Sequence, residues 1–172
     1  DYAEAADQFA DLVESAPPGS LQLARARYGL AMALWHTTPP TREYTDLART
    51  HFAAVKDEAP AGERGRLLRG RATLALGRIA ELEDFPGDRP DLELAAALYQ
   101  EAFALHPDQP LGDEAVLRLA GLRLRRYDDP EALREGVAIL ENRLVERPDS
   151  PLAGVYWELL SAVRQTRLRD DA

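Results

Sequence analysis

The chain has no cysteine, and a single lysine among its 21 cations. Without cysteine there is no disulfide framework, thiol nucleophile or cysteine-based zinc site, and the absence fits a reducing or an oxidising compartment equally. Histidine is limited to His36, His51 and His106, with no His-x3-His or His-Glu-x-x-His spacing to seat a metal. Gly-x-Ser-x-Gly, the P-loop and Gly-x-Gly-x-x-Gly are missing too, so neither a nucleophile elbow nor a phosphate cradle is in view. No cofactor and no enzymatic activity are expected. The longest apolar runs, Gly29 to Trp35 and Leu94 to Tyr99, are too short to cross a bilayer, so no direct membrane insertion is expected. A net charge of −9 opposes nucleic-acid binding, which needs cations to meet phosphate. β-Branched residues are few and no segment shows sustained alternation of apolar and polar residues, so no strand is expected.

What is abundant is Ala, Leu, Glu and Arg, which favour helix. The 172 residues, 45% of them apolar, suffice for a sizeable core. Twelve prolines, at 17/18, 39/40, 60, 86/90, 107/110, 130 and 148/151, punctuate the chain. Proline lacks the amide and clashes inside a helix, so each cluster marks an end. Eight proline-free segments of roughly 15–25 residues lie between them, a common helix length. They run from Asp1 to Ala16, Ser20 to His36, Arg42 to Ala59, Gly62 to Asp84 and Asp91 to His106. The sixth opens at Asp113, the seventh spans Asp129-Pro130 to Arg147, and the eighth runs from Ser150 towards Arg169. Ser20 and Ser150 are N-cap candidates, and Pro151 suits the first helical position. The turn Phe85-Pro-Gly-Asp-Arg-Pro90 separates the fourth segment from the fifth. Apolar stripes include Tyr2, Phe9, Leu12 and Val13 on the first segment and Leu47, Phe52 and Val55 on the third. Leu76, Ile79 and Leu82 continue the pattern on the fourth, then Leu94, Leu98 and Tyr99 on the fifth.

The odd segments share a spacing. Ala5-x3-Phe9 is followed by Pro17, Ala48-x3-Phe52 by Pro60, Ala95-x3-Tyr99 by Pro107 and Gly136-x3-Leu140 by Pro148. The even segments carry Ala24-x3-Tyr28-Gly29, Ala72-x3-Leu76-Gly77 and Ala115-x3-Leu119-Ala120. Small residues let two helices approach, and the large one fills the groove beside them. These residues resemble the tetratricopeptide repeat, which pairs Leu-Gly in helix A with Ala-x3-Phe and a closing proline in helix B. The helix A likeness is partial. Arg25, Thr73 and Val116 stand where the signature has Trp, and Met32, Ala80 and Arg123 where it has Tyr. The intervals Pro17 to Pro60, Pro60 to Pro107 and Pro107 to Pro148 are 43, 47 and 41 residues, against 34 in the standard repeat. The long period and the phrase Arg147-Pro-Asp-Ser-Pro-Leu-Ala153 are similar to divergent repeats of bacterial cell-envelope proteins, which implies a periplasmic address.

The resemblance implies an all-α fold, a right-handed superhelical stack of antiparallel helix pairs running through residues 1–172. Segment one reads as a helix B without its helix A, and segment eight as a helix A without its helix B. We therefore expect an array cut from a longer chain, or an eighth helix that caps it. A cap would turn Val155, Leu159 and Val163 inward; a cut repeat would leave Leu160 and Val163, or Trp157, open to pairing with a second copy.

The implied function is a non-enzymatic scaffold that holds a protein or peptide partner in a concave groove of helix A faces. Self-association, or an accessory domain of a larger envelope protein, are the other readings. Carried onto this sequence, the groove is Leu23, Ala26 and Leu30, then Arg71, Leu74 and Arg78, then Leu117, Arg118, Gly121, Leu124 and Arg125. Arg71 and Arg78 stand seven apart, and Arg118 and Arg125 repeat that spacing, which would suit an extended segment with acidic groups. The competing reading has these arginines neutralising Glu81 and Glu114. The acidic row at positions 1, 4, 7, 11 and 14 reads as a solvated helix face, and Arg123, Arg125 and Arg126 as cations favoured at a helix C-terminus.

Overall fold

The protein is described by a computed structural model covering residues 1–82, 85, 89–126 and 128–166. Eight α-helices and no strand make up these residues: α1 (Tyr2–Ser15), α2 (Leu21–Trp35), α3 (Arg42–Glu58), α4 (Glu63–Ala80), α5 (Leu92–Leu105), α6 (Pro110–Leu124), α7 (Pro130–Glu146) and α8 (Ala153–Thr166). Most ends are written locally. Asp1, Ser20, Thr41 and Asp129 each accept an amide of the first turn they precede, which satisfies a donor the helix leaves orphaned. Proline opens α6 and α7, so α6 begins at Pro110, one turn before the expected Asp113. Pro151 lies in the turn before α8 instead of at its first position; the Ser150 hydroxyl accepts the Leu152 amide there at 3.1 Å. The sequence expectations for Glu83, Asp84, Pro86, Gly87, Asp88 and Arg169 fall outside the described residues.

The chain forms two compact units, Asp1–Glu101 and Ala102–Ala172. In the first, α2 packs against α1, α3 and α4, and α3 against α4. Its main core gathers Ala24, Ala31, Ala48, Phe52, Val55, Ala72 and Ile79. In the second, α7 packs against α6 and α8 around Ala120, Leu133, Leu140, Tyr156 and Leu160.

Three of the four small–large pairs are buried. Ala48, Phe52, Ala95, Tyr99 and Leu140 are fully buried and Gly136 is buried with them. Ala5 and Phe9 of the first copy are only half-buried. The glycines explain the close approach: a Cβ at Gly77 would lie 2.6 Å from Tyr99 Cε1, and one at Gly29 would lie 2.5 Å from Phe9 Cε1. Two further glycines, which the repeat pattern does not mark, sit under main chain. A Cβ at Gly65 would fall 1.8 Å from the Pro60 carbonyl oxygen, and one at Gly112 would fall 2.1 Å from that of His106. The turns into α4 and α6 thus fold back onto the third residue of the helix that follows.

Four leucines that periodicity assigns to buried stripes are exposed instead. Leu12, Leu47, Leu82 and Leu94 are 40–49% accessible, because burial centres on the small–large pairs and these side chains stand at the stripes' edges. On α8 the inward face is Tyr156, Leu160 and Val163, with Leu159 partly buried against it; of the three expected inward residues only Val155 is exposed, as is Trp157. The eighth helix therefore covers the core with one face and leaves Trp157 open.

Candidate functional site

A recess of about 470 Å³ opens in the first unit between α3, the end of α4 and the start of α5. Ile79 and Leu98, both buried, form its apolar floor, and the exposed Leu82 and Leu94 form its edge. The wall is one side of α3: Arg42, Thr45, Asp46, Arg49, Ala53, Lys56 and Asp57; Arg89 and Asp91 stand opposite. Arg42, Arg49 and Lys56 are seven residues apart, so they form a row that drifts only about 20° per heptad. The rise between neighbours is about 10.5 Å. On the helix the row lies between the buried stripe of Ala48, Phe52 and Val55 and the acids Asp46 and Asp57, and both signs of charge line the recess. The cations have partners: Arg49 with Asp46 at 2.5 Å, Lys56 with Glu101 at 3.3 Å, and the Arg42 guanidinium over the Phe85 ring at 5.2 Å. Asp91 caps α5 by accepting the Leu94 amide at 2.9 Å.

The groove positions carried over from the repeat are placed differently. Leu23, Ala26, Leu30, Leu74 and Leu124 are buried, Leu30 beside Ala6 and Ala33 and Leu124 in the second unit's core. They are spent on packing, since α2 already meets three helices, and cannot offer an apolar contact to a partner. Arg71 and Arg125 are exposed, and Leu117, Arg118 and Gly121 are half-buried. Arg78 lies over the Trp35 ring at 4.8 Å. Arg118 is 3.9 Å from Glu114, whereas Glu81 is buried and accepts the Tyr99 hydroxyl at 2.9 Å. None of the groove positions lines the recess.

Sequence reasoning also missed a buried polar cluster in the second unit. Asp113 on α6 is fully buried and Arg143 on α7 nearly so. Arg143 Nε donates to Asp113 Oδ1 at 2.8 Å, the Ser150 hydroxyl donates to Oδ2 at 2.8 Å, and the Tyr156 hydroxyl donates to the Asp113 carbonyl oxygen at 2.7 Å. Arg147 stands 3.7 Å from Oδ2, and the Arg143 guanidinium lies 5.2 Å above the Phe103 ring. Every side chain named here is held from within the unit, so the cluster fixes α8 instead of presenting a reactive group. Burial, reinforced by the Asp113 charge, pushes the Tyr156 hydroxyl up to about 12, against opposing hydrogen bonds and the Arg143 charge. A phenol whose folded value is raised stabilises the fold below its unfolded value of about 10. That contribution is lost as pH rises through the folded value. Alkaline titration by ultraviolet absorbance is expected to show one tyrosine ionising about two pH units late, and Tyr156→Phe should remove that late step.

His36 caps the C-terminus of α2 and His106 follows α5, buried. Burial first, then the Arg27 charge, lowers the His51 imidazole below its usual value. No group of three His, Asp or Glu side chains able to hold a metal exists among the described residues. No helix among them is long and apolar enough to cross a membrane. No protein-family model matches the chain, and no curated protein matches it.

Proposed function

We propose that the chain is a non-enzymatic scaffold of the tetratricopeptide-like class, its helices stacked as antiparallel pairs in a right-handed array. We propose further that it holds a segment of a partner protein in the recess of the first unit, not in a groove of helix A faces. The repeat reading is supported by four matching small–large spacings, three of whose pairs are buried. The observation that carries the site is the row of Arg42, Arg49 and Lys56 above an apolar floor. Three residues of polyproline II chain rise about 9 Å and return a side chain to the same face, close to the interval of the cations. The row therefore suits a segment with carboxylates at every third position and apolar side chains between them.

The test is fluorescence anisotropy with a labelled ten-residue peptide carrying aspartate at every third position and leucine between. We expect binding that weakens with salt. Arg42→Glu/Arg49→Glu should weaken it about tenfold or more, equivalent to about 1.4 kcal/mol or more, while Arg71→Glu/Arg78→Glu leaves it unchanged. The opposite pattern would return the site to the helix A face. Equal binding of an asparagine version would remove the charge argument.

A further inference from the structure

The recess has a complement within the same chain. The exposed side of α1 carries Glu4, Asp7, Asp11 and Glu14, and α1 has no basic residue. Its opposite side, Ala5, Ala6, Phe9, Ala10 and Val13, packs in the core, so the acids point outward without competition. Glu4 and Asp11 are seven residues apart, and so are Asp7 and Glu14. On a helix these pairs repeat at about 10.5 Å, the interval of Arg42, Arg49 and Lys56. Leu12, next to Asp11 and 42% exposed, is the large apolar side chain bordering that face. Leu82 and Leu94 at the edge of the recess are 40% and 49% exposed.

We propose that α1 of a second copy of this chain docks along α3 over the recess, its carboxylates meeting the cation row and Leu12 covering Leu82 and Leu94. The inference rests on the recess being a binding site for acidic, apolar segments and names one occupant. The cations already have partners, but the Arg49–Asp46 pair is more than half exposed on both sides, and pairs so exposed contribute little and exchange cheaply. A carboxylate arriving from a helix that also covers leucine gains from a drier setting than Asp46 has. Donor and acceptor are different surfaces of the same unit, so two copies can exchange them reciprocally in a closed dimer or pass them on head to tail.

The experiment is light scattering over a concentration series in low and high salt. Two charge-reversed variants are compared with the parent chain: Arg42→Glu/Arg49→Glu in the recess, and Glu4→Arg/Asp11→Arg on α1. All four positions are exposed, and circular dichroism checks that the helices persist. We expect the parent's average mass to rise with concentration at low salt and to fall back to the monomer mass at high salt. Each variant alone should stay monomeric, and mixing them should restore association, because each then offers a surface of the sign the other lacks. A parent chain monomeric throughout, or an α1 variant that associates like the parent, overturns the inference. The aspartate–leucine peptide separates the two ideas: if it binds the recess of a chain that stays monomeric, the site stands and the second copy falls. If it does not bind and the chain stays monomeric, both fall.

Discussion

Replacing Asp113 by alanine is expected to destabilise the second unit by about 3–5 kcal/mol, the cost of leaving a buried charge without its partner. Arg143 is 3% exposed and, once the carboxylate is gone, keeps only the Pro107 carbonyl oxygen and a 3.4 Å contact to the exposed Glu146 carboxylate. The Ser150 hydroxyl loses its acceptor as well, so the turn into α8 loosens together with the ion pair. Asp113→Asn keeps the shape but not the charge, and should recover only part of the loss. The informative variant is the double replacement Asp113→Leu/Arg143→Met. Removing both charges together leaves neither ion of the pair stranded, although the Ser150 hydroxyl and Arg147 still lose the carboxylate, so it should be more stable than Asp113→Ala. Urea denaturation followed through Trp157, with Trp35 changed to phenylalanine, reads the second unit. An Asp113→Ala variant within 1 kcal/mol of the parent would mean that solvent reaches Arg143 freely.

That cluster shows where the sequence was silent and where a signal was overlooked. Helix number and most boundaries are local properties: proline placement and first-turn acceptors such as Ser20, Thr41 and Asp129 write them directly. The small–large pairs were legible for the same reason, since each copy is a five-residue pattern. Asp113 finds its partners 30 residues on at Arg143, 37 at Ser150 and 43 at Tyr156, separations at which no period operates. A hint did exist. Asp113 shares a helical stripe with Val116, Ala120 and Leu124, and Arg143 shares one with Gly136 and Leu140; opposite charges on two apolar stripes call for each other. Part of the expected groove is placed differently for another reason. Leu23, Ala26 and Leu30 were assigned to an open surface by likeness to a repeat, but a helix with three packed neighbours has few sides left for a ligand. The recess could not be read in advance either, because its edge is built from Leu82 and Leu94, leucines that periodicity assigns to the core. The cation row of α3 is present in the sequence as a seven-residue spacing, Arg42, Arg49 and Lys56, but a spacing on one helix does not say what it faces.

The largest expected effect in the first unit comes from Phe52→Ala, at about 3–5 kcal/mol. Phe52 is fully buried and meets Tyr28 and Trp35 edge-on, with ring centroids 5.6 and 6.1 Å away. Its removal therefore forfeits area and two aromatic contacts at once, and leaves a cavity walled by residues of α2 and α4. The same substitution at Phe9 makes the comparison. Phe9 holds the equivalent place in the repeat pattern but is half-buried, so Phe9→Ala should cost roughly 1–2 kcal/mol, in proportion to the smaller area withdrawn from water. Denaturation followed through Trp35, with Trp157 changed to phenylalanine, measures both. The ordering tests whether packing or pattern sets the energetics. Equal costs at the two positions would mean that the seat of Phe9 against Gly29 of α2 contributes more than its buried area accounts for.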